Sequence, residues 1–180
     1  MRRSADAVVI GGGVSGASIA YNLLKQGVGN VVLCEKDTFA NGSTGRCGAG
    51  VREQWGAEAN IRICKASIDI FENLQEELDY AYDIEFVQKG YLMMAYTEKE
   101  WLQFQKNVEV QHRLGVNSRV CTPDEAREIV PVLNTEGMLG ATYNARDGHA
   151  NPFHTTNAYL RAFERLGGEV NDFTEVIDIE

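Results

Sequence analysis

Ala5-Asp6-Ala7-Val8-Val9-Ile10-Gly11-Gly12-Gly13-Val14-Ser15-Gly16 is the stretch on which the fold turns. Ala5–Ile10 is a short apolar run of strand-forming character. The glycines at 11, 13 and 16 then carry the chain from strand to helix. Gly11 permits the tight turn, Gly13 lets the backbone approach a pyrophosphate, and Gly16 lets the helix pack closely on the strand. A helical pattern follows through Gln26, with Ala17, Ala20, Leu23 and Leu24 on its small, apolar face. Gly27 and Gly29 close it. Val31-Val32-Leu33-Cys34 is a second buried strand, ending at Glu35. The order strand, glycine turn, helix, strand is the βαβ unit of a parallel sheet with a right-handed crossover.

A lone G-x-G-x-x-G is weak. Here a strand precedes it, a helix follows it, and an acid ends the next strand. The helix N-terminus offers unpaired N–H groups to an anion. The Glu35 carboxylate stands where it can accept from a ribose 2′-hydroxyl. The unit is therefore expected to hold an adenine dinucleotide, and a carboxylate there disfavours a 2′-phosphate. NAD and FAD both remain open at this point. The next stretch separates them. Asn41-Gly42-Ser43-Thr44-Gly45-Arg46-Cys47-Gly48-Ala49-Gly50-Val51-Arg52-Glu53-Gln54-Trp55 begins with small residues, holds two arginines and ends in an aromatic. Such a backbone can lie close to a flat ring or a phosphate. An NAD dehydrogenase would instead continue with further βα units.

Farther along, residues 57–79 place Ile61, Cys64, Ile68, Phe71, Leu74 and Leu78 three or four apart, which predicts one amphipathic helix. Phe86–Val87 and Tyr91–Ala95 read as a hairpin turned at Lys89-Gly90. Glu98 to Leu114 is a helix with Trp101, Phe104 and Val108 on one face. Thr122-Pro123-Asp124-Glu125 opens a short helix that Pro131 stops. Met138–Tyr143 reads as a strand, Pro152–Leu166 as a helix, and Glu169-Val170 and Glu175–Glu180 as strands. The fold class is α/β: a Rossmann-like βαβ layer over 1–83, an inserted α+β segment over 84–146, and a return to the first layer over 147–180.

Composition narrows the partners. The chain has 180 residues, 44% of them hydrophobic, enough for one domain or for one domain with an inserted lobe. Lys and Arg number 17 against 26 Asp and Glu, a formal charge of −9, which argues against a nucleic-acid backbone binder. No apolar run approaches the ~20 residues of a membrane span. Cys34, Cys47, Cys64 and Cys121 match no zinc spacing and contain no C-x-x-C pair. Cys34 and Cys64 read as buried thiols. Met1-Arg2-Arg3-Ser4 leads into the first strand without an apolar signal segment, so a reducing, cytoplasmic setting is expected. No metal ligand set and no catalytic base emerge. Of His112, His149 and His154, only His149, in the Asp147–Pro152 turn, is worth testing.

Gly11–Gly16, Cys34-Glu35-Lys36-Asp37 and Gly42–Trp55 also carry a resemblance. With them the chain resembles the FAD-dependent oxidoreductases of the D-amino-acid oxidase type, most of all the sarcosine oxidase β-subunit-like branch. The resemblance continues through Lys89-Gly90-Tyr91-Leu92, Thr122–Ala126, Val130–Leu133 and Asp147–Pro152, and so covers essentially the whole chain. It implies an FAD-binding domain paired with a substrate domain built on an antiparallel sheet. It also implies oxidation of the C–N bond of a small amine or amino acid, a sarcosine-like N-methyl amino acid above all, with hydride passing to FAD. The cofactor carries that chemistry, while the protein supplies position and electrostatics. By resemblance, Gly11, Gly13, Val14, Ser15 and Gly16 form the pyrophosphate turn. Glu35 and Lys36 meet the ribose and adenine edge. Ser43, Thr44, Arg46 and Cys47 pass the pyrophosphate toward the isoalloxazine, and Gly48, Ala49, Gly50 and Val51 continue along the ring. Val176 matches a position whose backbone meets the adenine. Arg52 matches an arginine that pairs with the substrate carboxylate, a role its bidentate fork suits.

Two departures follow. Some relatives attach the flavin through a histidine, but residues 43–50 contain none, and Arg46 stands in its place. A noncovalent FAD is therefore expected, with a Cys47 thioether as the alternative. Family members are also longer, so the chain is expected to be a truncated, N-terminal half. Its missing C-terminal half, or a hetero-oligomeric partner, would complete it. The alternative function is a truncated, non-catalytic dinucleotide-binding subunit acting with a partner chain.

Overall fold

The computed structural model describes residues 4–179. Met1-Arg2-Arg3 and Glu180 lie outside the described residues. The chain runs β1 (Ala7–Ile10), α1 (Val14–Lys25), β2 (Val31–Cys34), β3 (Gly50–Val51), α2 (Glu58–Phe71) and α3 (Leu74–Glu77). It continues through β4 (Tyr91–Ala95), α4 (Glu98–Arg113), β5 (Arg119–Cys121) and α5 (Pro123–Ile129). The last elements are β6 (Gly140–Asn144), β7 (Gly148–His149), α6 (Pro152–Arg165) and β8 (Glu169–Asn171). The mixed α/β architecture is the one expected. No helix among the described residues is long and apolar enough to cross a membrane.

Two compact units form. The first comprises residues up to 49, 73–86 and from 150 onward. Its sheet has the order β1–β2–β8, parallel throughout, with Val9 beside Leu33 and Leu33 beside Val170. β2 is central and buried along its whole length, which is why it reads as an unbroken apolar run. Helices α1 and α6 pack together on this sheet. Ala17 and Ala20 are fully buried and too small to hold α1 away from its neighbours. The Tyr21 and Tyr159 rings meet in a tilted pair 5.7 Å apart, and Phe163 fills the interior.

The second unit comprises residues 50–72 and 87–149. The change of rhythm predicts an α+β segment over 84–146 and a return to the first layer over 147–180; the compact unit instead takes in 50–72 and 87–149, which leaves 84–86 with the first unit. Its three-stranded sheet is antiparallel, in the order β4–β6–β5. Cys121, Ala126, Met138 and Ala141 form one core cluster of this unit, with Leu92, Ile129, Leu133 and Tyr143 packed against them. A separate antiparallel pair joins β3 to β7, with Gly50 beside His149 and Val51 beside Gly148. Both α4 and α5 begin with a full capping box, Thr97 with Glu100 and Thr122 with Glu125.

Three expectations change. The helix over 57–79 is two helices, because α2 stops at Phe71 and α3 begins at Leu74. The apolar period runs across the break because both parts bury a face: Ile61 and Ile68 in the second unit, Leu74 and Leu78 in the first. The hairpin at Lys89-Gly90 does not form. Val87 bridges His149 alone, while Tyr91–Ala95 pairs with β6. The turn residues are real, since Gly90 has φ +81° and its N–H donates to Asp147 O, but they steer the chain toward a distant strand. The strand over 175–180 is irregular at 175–179. After Thr174 N–H donates to Glu35 O, the chain leaves the sheet, and Ile177 and Ile179 are exposed.

Candidate functional site

The first unit holds an open cavity of about 540 Å³ at the C-terminal end of its parallel strands. That is where an open α/β sheet places a ligand. The turn after β1 forms one wall through Gly11, Gly13, Ser15 and Gly16. Gly11 has φ +105°, which side chains rarely tolerate, and its N–H donates to Cys34 O at 2.8 Å. A Cβ on Gly16 would stand 1.9 Å from Gly11 O, so no side chain fits where helix and strand cross. Gly13 is the N-cap of α1 and presents bare backbone to the loop. Val14 N–H is taken by Thr44 Oγ1 at 3.1 Å. The next first-turn N–H groups, those of Ser15 and Gly16, have no partner within the helix and border the cavity.

Glu35 and Lys36, at the end of β2, line the same cavity, as do Ser43, Thr44 and Arg46. The Glu35 carboxylate accepts from Gly12 N–H at 2.6 Å and from Asp37 N–H at 2.9 Å. It thereby ties the glycine turn to the end of β2 and still has lone pairs for a hydroxyl. Arg46 is exposed, which leaves one guanidinium and an ammonium, Lys36, around a helix N-terminus. Anion-binding backbone, an acid and cations around one cavity fit a dinucleotide with a free ribose 2′-hydroxyl.

The remaining expected residues are placed elsewhere. Cys47 is exposed; its thiol donates to Thr44 O at 3.0 Å and accepts from Ala49 N–H at 3.4 Å. Gly48 is exposed, and Ala49 has φ +58° with its carbonyl held by Ala150 N–H. Val176 lies in the irregular end and does not line the cavity. Gly50, Val51 and Arg52 belong to the second unit. His149 is exposed on β7, and His154 Nδ1 meets the Tyr80 hydroxyl at 3.2 Å.

Arg52 is half-buried in an unusual setting. Its guanidinium lies 4.1 Å above the Trp55 ring and 6.0 Å from the Tyr91 ring, and Nη1 reaches Met93 Sδ at 3.3 Å. Among the described residues it forms no salt bridge. Aromatic faces and a thioether stabilise a cation without neutralising it.

Sequence reasoning missed the polar cluster next to it. Glu53 and Asp147 are both buried, 1% and 0% exposed. Asp147 Oδ1 accepts from Glu53 N–H at 2.8 Å and Asn144 Nδ2 at 2.9 Å, and Oδ2 accepts from Gln54 Nε2 at 2.9 Å. Asn144 Nδ2 also reaches Glu53 Oε1 at 2.9 Å. Arg146 Nη1 lies 3.7 Å from Glu53 while the rest of its fork binds Asp69 and Glu72. That fork holds the Glu72 carboxyl below its ordinary value. Burial pushes the Asp147 carboxyl up, and its donors pull it partly back. The one available signal was Asp147-Gly148, which reads only as a turn.

Parallel sheet, glycine turn and acid fit a binder of adenine dinucleotides. Residues 6–180 match the profile of the FAD dependent oxidoreductase family, and the chain belongs to that family. It is 32% identical to the sarcosine oxidase subunit beta of Arthrobacter sp, covering 97% of this chain and 44% of that protein. It is likewise 32% identical to the mitochondrial dimethylglycine dehydrogenase of Rattus norvegicus, covering 91% of this chain and 19% of that one. The crystal structure of L-proline dehydrogenase from P. horikoshii superposes with a TM-score of 0.91 at 37% identity, covering all of this chain and 47% of the other. The chain thus spans less than half the length of these relatives.

Proposed function

We propose that the protein, in its complete active form, oxidises the C–N bond of a small secondary or tertiary amino acid, a sarcosine-like N-methyl amino acid above all. The observation that carries this reading is Arg52. A guanidinium held among Trp55, Tyr91 and Met93, with no acidic partner among the described residues, suits a carboxylate brought by a ligand. The named substrates of the relatives, sarcosine, dimethylglycine and proline, are all amino acids with a substituted nitrogen.

FAD, when bound, accepts the hydride equivalent. The residues of this chain bind and orient. The N–H groups of Ser15 and Gly16 and the cations Lys36 and Arg46 receive the pyrophosphate, while Glu35 receives the ribose. Ser43 and Thr44 line that passage. Cys47, Gly48, Ala49, Gly50 and Val51 supply small backbone beside the ring, and Val176 supplies backbone beside the adenine. Arg52 fixes the carboxylate end of the substrate, which sets the orientation of its C–N bond. The cofactor is held without a covalent bond.

Anaerobic addition of sarcosine, dimethylglycine or proline to the flavin-loaded protein tests the reaction. At least one is expected to bleach the visible flavin absorbance. A flavin that stays oxidised with all three, yet bleaches with dithionite, would refute the substrate class.

A further inference from the structure

We propose that Asp147 is the positioning residue that holds Arg52 ready for a carboxylate; this rests on the role given to Arg52 above. The side-chain contacts of Arg52 are with two ring faces and a sulfur, and none has the directionality of an ion pair. The guanidinium therefore takes its place from its backbone, and that backbone is fastened on both sides by one short segment. Before Arg52, Val51 pairs with Gly148. After it, Glu53 N–H donates to Asp147 Oδ1 at 2.8 Å.

Gln54 extends the grip. Its Nε2 donates to Asp147 Oδ2 and to Tyr91 O, both at 2.9 Å. This joins the segment to the strand that carries the Tyr91 ring and Met93. Trp55 Nε1 donates back to Arg52 O at 3.1 Å, which keeps the indole under the guanidinium. Asp147 is thus the common acceptor for the two residues that follow Arg52. A fully buried carboxylate costs desolvation, and burial does push this one toward its neutral form. Three donors offset that cost, and two of them belong to Glu53 and Gln54.

Asp147→Asn keeps the volume and removes the second acceptor. Its new NH₂ would face the Gln54 NH₂, donor against donor. The probe is methoxyacetate, a carboxylate with an ether oxygen where the amine would be. It is titrated by calorimetry into the flavin-loaded protein. Asp147→Asn is expected to weaken methoxyacetate about tenfold in the Arg52 protein and to have no further effect in an Arg52→Ala background, because residues acting as one unit are not additive. Equal weakening in both backgrounds, or none in the Arg52 protein, would overturn the proposal.

The near-ultraviolet dichroism of Trp55, read in a Trp101→Phe background, is expected to change with Asp147→Asn; an unchanged band overturns the positioning role. This reading keeps the two ideas apart. If Arg52→Ala leaves methoxyacetate binding intact, the carboxylate role of Arg52 fails, while the Trp55 band still decides whether Asp147 positions it. Should Asp147→Asn not fold, Gln54→Met removes one donor of the same grip. The same non-additivity with Arg52→Ala then supports the proposal, and additivity overturns it.

Discussion

Gly16→Ala is expected to lower FAD affinity about a hundredfold or more, because the added methyl has nowhere to go. Its carbon would sit 1.9 Å from Gly11 O and 3.1 Å from Gly11 C, and both are backbone atoms. The clash can be relieved only by moving α1 away from β1 or by opening the turn. Overpacking a tight contact costs about 1–3 kcal/mol and sometimes more, and about 2.8 kcal/mol is a hundredfold in affinity. Moving α1 also shifts the N–H groups of Ser15 and Gly16 relative to Glu35, which lines the same cavity. The check is calorimetric titration with FAD, with far-ultraviolet dichroism to confirm the helices. A folded variant that binds FAD as the parent does would show that the turn is not the phosphate site.

The second large effect is at Arg52. Arg52→Ala should lower kcat/KM for the amino acid that bleaches the flavin about a hundredfold. A charge-assisted, bidentate contact is worth about 1.5–3 kcal/mol, and each 1.4 kcal/mol is tenfold. Arg52→Lys should recover only part of this, because an ammonium keeps the charge but loses the planar fork and its fit over Trp55. Stability should change little, since no ion pair among the described residues is broken. The measurement is steady-state turnover against substrate, set beside the corresponding amine without a carboxylate. The difference between the two substrates should vanish in Arg52→Ala. Unchanged kinetics on the amino acid would remove Arg52 from the substrate site.

What was legible in the sequence was local. The βαβ unit announces itself through an apolar strand, a glycine turn and a helix period, all within 31 residues of Ala5 and all enforced by neighbours in the chain. Glu35 follows from the same pattern, and the structure brings it to the turn through Gly12 N–H. What escaped was non-local. The β3–β7 pair joins residues that are neighbours in space but nearly a hundred apart in sequence, and two-residue strands leave no alternation to read. The hairpin at Lys89-Gly90 failed for a related reason: a turn signal says that the chain turns, not which strand it meets. Glu53 and Asp147 look like any surface acids until the fold brings them together across 94 residues. Buried acids are rare enough that no local rule anticipates them.

The most direct test of the central claim, that the glycine turn and Glu35 hold FAD, is an equilibrium titration of the protein with FAD, NAD and NADP in parallel. FAD is expected to bind, neither nicotinamide dinucleotide is expected to displace it, and acid denaturation is expected to release all the flavin from the polypeptide. A protein that takes up NAD and leaves FAD in solution would contradict it.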